Sequence, residues 1–443
     1  MLSGIIMVSA LCLILGACES TGFQGVHGQW HTYLGSASPD YGERIALDSL
    51  GNIYVAGYSV GGFSQAESGW GSPISPFTFV SAGTVNAFVA KLDAGGRLVW
   101  NTFLGYSGVS DPDLYGIDIV LDGAGNIFVA SFCDGDWGDP IQPSPGQGDC
   151  LVAKLSNDGQ LLWHTFLGSR DLHTGRGIAL NGAGNILVTG ASYQSWGSPI
   201  NPFSGDVCAY AAKLNDEGQL IWNTFLDQLT VSHGIAVDKN DNIYLTGIYW
   251  HGIGGAADAF VTKLSPDGTQ AWQSFLGGDG SDYGRAIRSD GLGHLFVSGT
   301  SGDSWGPGAD TYSGGWDAFV AKLDEDGNLE WNSFLGSSNA DDGYDVAPSG
   351  GNRILTTGSS YSGWGPGARH FRGAEDAFAA EVDNDGDLIW DEFVGCAGIE
   401  SGRGIAVGAD ASVFIIGYAD TSWGHAVRPH SGTYDAFVTR IKE

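Results

Sequence analysis

Short runs of β-branched, aromatic and small apolar residues alternate along this chain with clusters of Gly, Asp, Asn and Ser. The runs return in a fixed order. Within 282–336 they are Arg285–Ile287, Leu295–Gly299, Ala318–Leu323 and Leu329–Leu335, here called A, B, C and D. Such runs between Gly/Asp/Asn punctuation are strand and turn signals. No segment carries an i, i+3, i+4, i+7 apolar stripe long enough for a good helix.

The D run opens with a phrase, Trp-x-(Thr/Ser/Glu)-(Phe/Tyr)-(Leu/Val), that recurs at Trp30, Trp100, Trp163, Trp222, Trp272, Trp331 and Trp390. Successive copies lie 70, 63, 59, 50, 59 and 59 residues apart, which marks a repeat architecture. Four short strands per unit of this length make one propeller blade. The A runs start at Gly42, Gly116, Gly175, Ser232, Gly284, Gly343 and Gly402, giving seven blades. The domain opens with a D phrase at Trp30 and closes with a C phrase, Asp435-Ala436-Phe437-Val438. The last blade therefore lacks its outer strand and the first segment supplies one, so both terminal edges are paired. The expected fold is all-β: a seven-bladed β-propeller of four-stranded blades spanning 30–443, its ring closed by the N-terminal strand.

What precedes it is different. Residues 1–17 are apolar apart from serines, too short to span a bilayer with ease, and read as a signal peptide. They end in Leu15-Gly16-Ala17-Cys18, which resembles the lipobox of bacterial lipoproteins and implies that Cys18 is lipidated; an ordinary leader with a chance Cys is the alternative. The stretch before the apolar run carries no Lys or Arg, a departure from the usual signal pattern. Residues 18–29 then form a lipidated tether, whose polar eleven-residue stretch Glu19–Gln29 reaches at most about 35–40 Å.

Charge removes some partners. With 50 acidic against 19 basic residues, the net charge is −31. Lys91, Lys154, Lys213, Lys263 and Lys322 occupy one repeated place in strand C, spread round the ring, while Glu381 and Arg440 stand there in the last two blades. Nucleic acid needs a clustered cationic footprint, so it is rejected as a partner. Anionic lipid would be repelled, leaving the lipid anchor as the only membrane contact. Past the leader the cysteines are Cys133, Cys150, Cys208 and Cys396. Cys133 and Cys150 flank one loop of blade 2, where a disulfide is plausible; four buried free thiols is the equal alternative.

Propeller strands run outward from the central channel, so the D–A and B–C loops share one face and the A–B and C–D turns the other. The C–D turns are Asp-Gly hairpins. Asp383, Asp385 and Asp387 resemble the start of a calcium loop but lack its distant Glu, so a hairpin is preferred and no metal is expected. On the other face, Trp-Gly pairs recur in B–C loops at Trp70, Trp137, Trp196, Trp305, Trp364 and Trp423, and D–A loops carry acids and tyrosines such as Asp282 and Tyr283. A side chain repeated in six of seven units first caps its own blade; the face as a whole is still the best binding surface. Blade 4 lacks the Trp-Gly pair and leaves a low sector in the rim. Just inside strand A lies a second ring: Glu43, Ile117, Arg176, His233, Arg285, Tyr344 and Arg403. Its arginines are read as pairing with nearby loop acids, or as a collar for an anionic ligand. No nucleophile elbow, zinc-protease or phosphate-loop motif is present, and the abundance of carboxylates leaves a paired-acid argument without force.

Gly-Asn-Ile-Tyr-(Val/Leu)-(Ala/Thr)-Gly, Asp-Ala-Phe-Val-(Ala/Thr)-Lys-Leu and Trp-x-x-Phe-Leu-Gly together resemble the SBBP-type bacterial β-propeller repeat family over about Trp30 to Lys442. The resemblance implies an extracytoplasmic, often surface-associated propeller. The block Ala321-Lys322-Leu323-Asp324 to Trp331 also resembles the tryptophan-docking motif of quinoprotein propellers, but no adjacent Cys pair accompanies it and no cofactor is expected. The expected function is that of an exported, lipid-anchored, monomeric binding or scaffolding module of the bacterial cell envelope, at the outer membrane or cell surface. It would be non-catalytic and hold a glycan or an envelope protein on the D–A/B–C face. A carbohydrate-active enzyme on that face is the alternative.

Overall fold

The computed structural model describes residues 29–61, 68–107, 116–146, 148–252, 255–308, 311–365 and 371–441. The leader, Cys18 and nearly all of the tether lie outside them. Seven four-stranded antiparallel sheets form the blades; blade 5, for example, is Asp282–Ser289, His294–Ser301, Asp317–Asp324 and Leu329–Leu335. In blade 7 the outer strand is Trp30–Leu34, paired with Asp435–Ile441 in the register Trp30↔Arg440 to Leu34↔Ala436. Ring closure is as the sequence predicts.

Strands B and C of each blade are buried on both faces, as in Asp317–Asp324, whose side chains are enclosed except at Asp324. Their apolar residues meet those of the next blade. Phe128, Ala130 and Val152 of blade 2 pack with Ile178, Val188, Tyr210 and Phe225 of blade 3 in one cluster. The core is therefore a set of inter-blade layers, and each blade depends on two neighbours.

The repeated Trp and Lys have one job. They face each other across strands C and D, as in Lys322↔Trp331 and Lys154↔Trp163, and both reach the C–D turn of the following blade. Trp331 Nε1 donates to Asn384 O at 2.7 Å while Lys322 Nζ meets Asn384 Oδ1 at 3.0 Å. Trp163 Nε1 donates to Asp216 O at 3.0 Å, with Lys154 on the Asp216 carboxylate at 2.5 Å. The turn glycine lies under the indole: Gly327 has φ +85°, and a Cβ there would sit 2.8 Å from Trp272. At the closing joint the pattern changes for a physical reason. Blade 7 has no C–D turn, so Trp390 has none to reach; Glu381 replaces Lys, accepting Trp390 Nε1 at 2.7 Å and pairing with Arg353 at 2.7 Å. Trp30 of blade 7 still lies against Gly96 of blade 1.

Trp331, 8% exposed, packs beside Phe296 in the layer between blades 5 and 6. Trp331→Ala is expected to cost about 3–5 kcal/mol in denaturant unfolding. A loss under about 1 kcal/mol would remove the docking role.

Cys133 and Cys150 are separate, buried free thiols. The register pairs Cys150 with Phe132 and Cys133 with Asp149. That one-residue offset sends the two side chains to opposite faces of the blade, Cys133 into the layer with blade 1 and Cys150 into the layer with blade 3. Asp383, Asp385 and Asp387 form a tight turn in which Asp383 Oδ1 accepts the Asp385 and Asp387 amides at 2.9 and 3.0 Å. Among the described residues no group of three or more His, Cys, Asp or Glu is arranged to hold a metal ion.

Candidate functional site at the channel mouth

Strand A is where the blade departs from regular pairing. In blade 5 Gly284 opposes Gly299 and Ala286 opposes Ser298, leaving Arg285 bulged out between them. The same irregularity leaves out Glu43, Arg176, His233, Tyr344 and Arg403. A bulge inserts one unpaired residue and re-aims its side chain, here toward the axis. The bulge draws the strand-A carbonyl onto the facing strand-B glycine: a Cβ on Gly299 would lie 1.9 Å from Tyr283 O, and one on Gly417 1.8 Å from Ser401 O. Blade 2 carries Ser131 where the others carry this glycine, and its short strand A, Ile117–Leu121, pairs without a bulge.

The consequence is convergence. All seven positions of the second ring, Glu43, Ile117, Arg176, His233, Arg285, Tyr344 and Arg403, line one cavity of about 460 Å³ at the D–A/B–C end of the channel. Arg44, Tyr41, Tyr58 and Tyr418 also line it, with Val60, Val85 and Gly116; among these described lining residues the one carboxylate is Glu43. Blades 7 and 1 supply tyrosines beside Arg403, Glu43 and Arg44: Tyr41 stacks on Tyr58 at 4.8 Å and on Tyr434 at 5.6 Å, and meets Tyr418 edge-on at 5.0 Å. Blades 3 to 5 supply Arg176, His233 and Arg285.

Among the described residues Arg403 and Arg285 meet aromatic rings where acid pairing was expected. The Arg403 guanidinium lies 3.9 Å from the Tyr344 ring centre and 5.2 Å from that of Tyr418, and donates to the Tyr418 hydroxyl at 3.1 Å. Arg285 lies over Tyr283 at 5.6 Å, and Tyr283 itself stacks on Trp316. Neither arginine has a salt bridge among the described residues, and their Nε atoms are buried without an acceptor. The reason is position: Asp40, Asp282, Asp341 and Glu400 of the D–A loops are buried in the blades, while the bulge turns the arginine to the axis. Between the arginines, His233 is held well below its ordinary pKa by burial and then by Arg176 and Arg285, and so is neutral. Its Nδ1 donates to Gly284 O at 3.0 Å. Two other arginines are matched: Arg288 meets Asp345 at 3.1 Å, and Arg44, which also lines the cavity, lies 3.9 Å from Asp118. Asp118 and Asp345 also accept the Ile178 and Ile405 amides of the neighbouring strands.

The Trp-Gly tryptophans and Asp282 lie inside the blades. Trp70, Trp196, Trp305 and Trp423 are buried, Trp137 and Trp364 half-buried. Trp305 stands edge-on to Phe319 and Phe334 and donates Nε1 to Asp282 at 2.9 Å. Asp282, fully enclosed, also accepts the Gly278 amide. Its neighbour across the glycine that ends strand D is the acid opening strand C, an arrangement repeated as Asp341/Asp317 beside Gly336 and Glu400/Asp376 beside Gly395. Burial pushes Asp341 and Asp376 up to about 6, Asp317 to about 7 and Glu400 to about 8. His31 and His164, in strand D, accept the role Asn332 has elsewhere: each meets the carbonyl of its B–C tryptophan at 2.7 Å. In blade 4, which lacks the tryptophan, Phe275 is left 48% exposed against Tyr249.

Residues 29–64 match the family model of the SBBP β-propeller repeat. No curated protein matches the chain. Among solved structures, the Pan2 WD40 domain of Neurospora crassa aligns at 10% identity and TM-score 0.48, over 94% of this chain and 97% of that one. Sqt1 of Chaetomium thermophilum aligns at 11% and 0.47, over 94% and 99%. Pyrococcus horikoshii acylaminoacyl peptidase aligns at 12% and 0.42, over 87% and 50%. At these identities nothing about ligand or activity passes from them.

Proposed function

Starting from a seven-bladed propeller that carries an SBBP repeat, we propose an exported, lipid-anchored binding module that holds a glycan in the cavity at the D–A/B–C end of its channel. The observation that carries this reading is the convergence of residues from all seven blades on one cavity of about 460 Å³, within the size range of small-ligand sites. Tyrosine faces and arginine donors are the groups that stack on and hydrogen-bond sugars. Binding is favoured over hydrolysis because Glu43 is the one carboxylate among the described residues lining the cavity, whereas glycoside hydrolysis ordinarily uses two. Export and anchoring rest on residues 1–18. The protein partner remains the second reading, favoured by the exposed Phe275 at the low blade-4 rim.

The test is a glycan array probed with the purified protein and with Arg285→Gln, which leaves the blade interior intact. Binding by the first and its loss in the second is the expected result. A blank array with folded protein overturns the glycan reading. Trp305→Ala is unsuitable as a binding variant, since that indole is part of the blade's packing.

A further inference from the structure

We infer that the open outer edge of blade 4 takes an extended peptide of a partner protein, of the form Pro-(Ile/Val)-x-Pro-aromatic, laid along strand D, Gln270–Leu276, as an added strand. The inference deepens the protein-partner reading and stands apart from the cavity, so its failure leaves the glycan reading untouched.

The outermost strand of a blade presents a row of unpaired N–H and C=O groups, which a protein either covers or leaves open to another chain. Four blades cover it with their own B–C loop. In blade 1 Ile74 N donates to Asn101 O at 2.9 Å and Phe103 N to Ser75 O at 3.1 Å; in blade 3 Ile200 N donates to Asn223 O at 2.9 Å and Phe225 N to Asn201 O at 3.2 Å. Ile141 and Gln142 of blade 2, and Val427 and Arg428 of blade 7, make the same two bonds. The covering segments share a form, as in Pro73-Ile74-Ser75-Pro76-Phe77, Pro199-Ile200-Asn201-Pro202-Phe203 and Ala426-Val427-Arg428-Pro429-His430. Their prolines hold the chain extended without removing the one donor that is used. The closing aromatic stands edge-on to the strand-D ring, Phe77 to Phe103 and Phe203 to Phe225, both at 5.4 Å.

Blade 4 keeps the edge without this cover. Its B–C connection is residues 251–256, closed by His251 N donating to Ala256 O at 3.0 Å, against 193–207 in blade 3. The corresponding groups, Gln273 O and Phe275 N, make no such bond among the described residues. Exposure follows. Phe275 is 48% exposed, while the ring at its place in the other blades, from Tyr33 to Phe393, is at most 4% exposed. Gln273 and Ser274 are half-buried where Asn223 and Thr224 are enclosed. Tyr249 lies 4.9 Å from Phe275, so the open edge carries an aromatic floor. What fits there is what the fold lays on the same edge elsewhere: an N–H for Gln273 O, a C=O for Phe275 N, a branched aliphatic between prolines, and a ring to meet Phe275. Strand addition to a sheet edge draws affinity from such main-chain bonds and specificity from the side chains beside them.

The test is fluorescence anisotropy of a labelled peptide copied from blade 3, Gly197–Ser204, titrated with the purified protein, beside the same peptide N-methylated at its isoleucine. Saturable binding with a Kd below about 1 mM is expected. N-methylation, which removes the donor to Gln273 O, and Phe275→Ala should each weaken it by roughly tenfold. The N-methylated peptide leaves the protein unaltered, so that arm does not depend on how well the variant folds. Absence of saturable binding by folded protein overturns the inference. So does binding that survives either change, which puts the peptide elsewhere. A dimer in sedimentation that Phe275→Ala dissolves overturns it in favour of a second copy of this chain on the same edge.

Discussion

Deleting Trp30–Leu34 is expected to abolish the cooperative thermal transition of the whole ring. This strand is the fourth of blade 7, and its side chains enter two inter-blade layers. Tyr33 is buried with Leu355, Ala377 and Ile415 between blades 6 and 7. Leu34 is buried with Ile53, Phe88 and Phe414 between blades 7 and 1. Trp30 also lies on the Gly96 turn of blade 1. Removing three large side chains at about 1.5–3 kcal/mol each takes away roughly 5–9 kcal/mol, before the strand pairing is counted. That is comparable to the about 5–15 kcal/mol by which a domain is stable. Calorimetry should show a broad, weak transition or none, while Leu34→Ala alone lowers stability by about 2–5 kcal/mol and keeps a single peak. An unshifted sharp peak in the deletion would disprove closure through this strand.

The second large effect is on pH. Asp40 and Asp317 are pushed up to about 7 and Glu400 to about 8, in each case chiefly by burial. In the unfolded chain these acids titrate near 4. Between about pH 4 and their folded values the native state therefore holds protons that the unfolded chain has released. That stability is present in full at acid pH and lost as pH rises through 7 to 8. Buried His31 and His173, lowered to about 4, act in the opposite sense. Their contribution is full above about pH 6.5 and is lost as pH falls toward 4, so the two sets oppose each other in that interval. Above 6.5 the acids act alone. Melting temperature should fall by a few degrees between pH 6.5 and 8.5 at constant ionic strength, each proton being worth about 1.4 kcal/mol per pH unit. Glu400→Gln should flatten the slope above pH 7. A melting temperature that rises over this interval would exclude protonated acids at the blade tops.

The blade count and ring closure were legible because the Trp phrase and the strand-A start are local patterns that the fold uses seven times over. The inner ring was legible too, by its fixed offset from strand A, and it proved to be the feature that gathers the cavity. What made it point inward was present but unread: the strand-B glycine at Gly57, Gly190, Gly247, Gly299, Gly358 and Gly417, absent at Ser131, reports the bulge opposite. The B–C tryptophans were harder. An indole beside Gly and Pro in a loop looks available, and only tertiary packing places Trp305 edge-on between Phe319 and Phe334. Likewise, nothing local to Glu381 states that it replaces Lys because the next blade has no turn to receive one; that follows only from where the ring is joined. Cys133 and Cys150 turn on a one-residue register, which spacing alone does not reveal.

The direction of the closing strand has a bearing on how the cavity is presented. Trp30 pairs with Arg440 at the turn end of blade 7, and Leu34 with Ala436 at the loop end. The chain therefore enters the ring from the side opposite the cavity. An anchor at Cys18, as proposed above, would hold the disc by its underside, with the tyrosine and arginine mouth turned outward toward the surroundings rather than down onto the supporting surface.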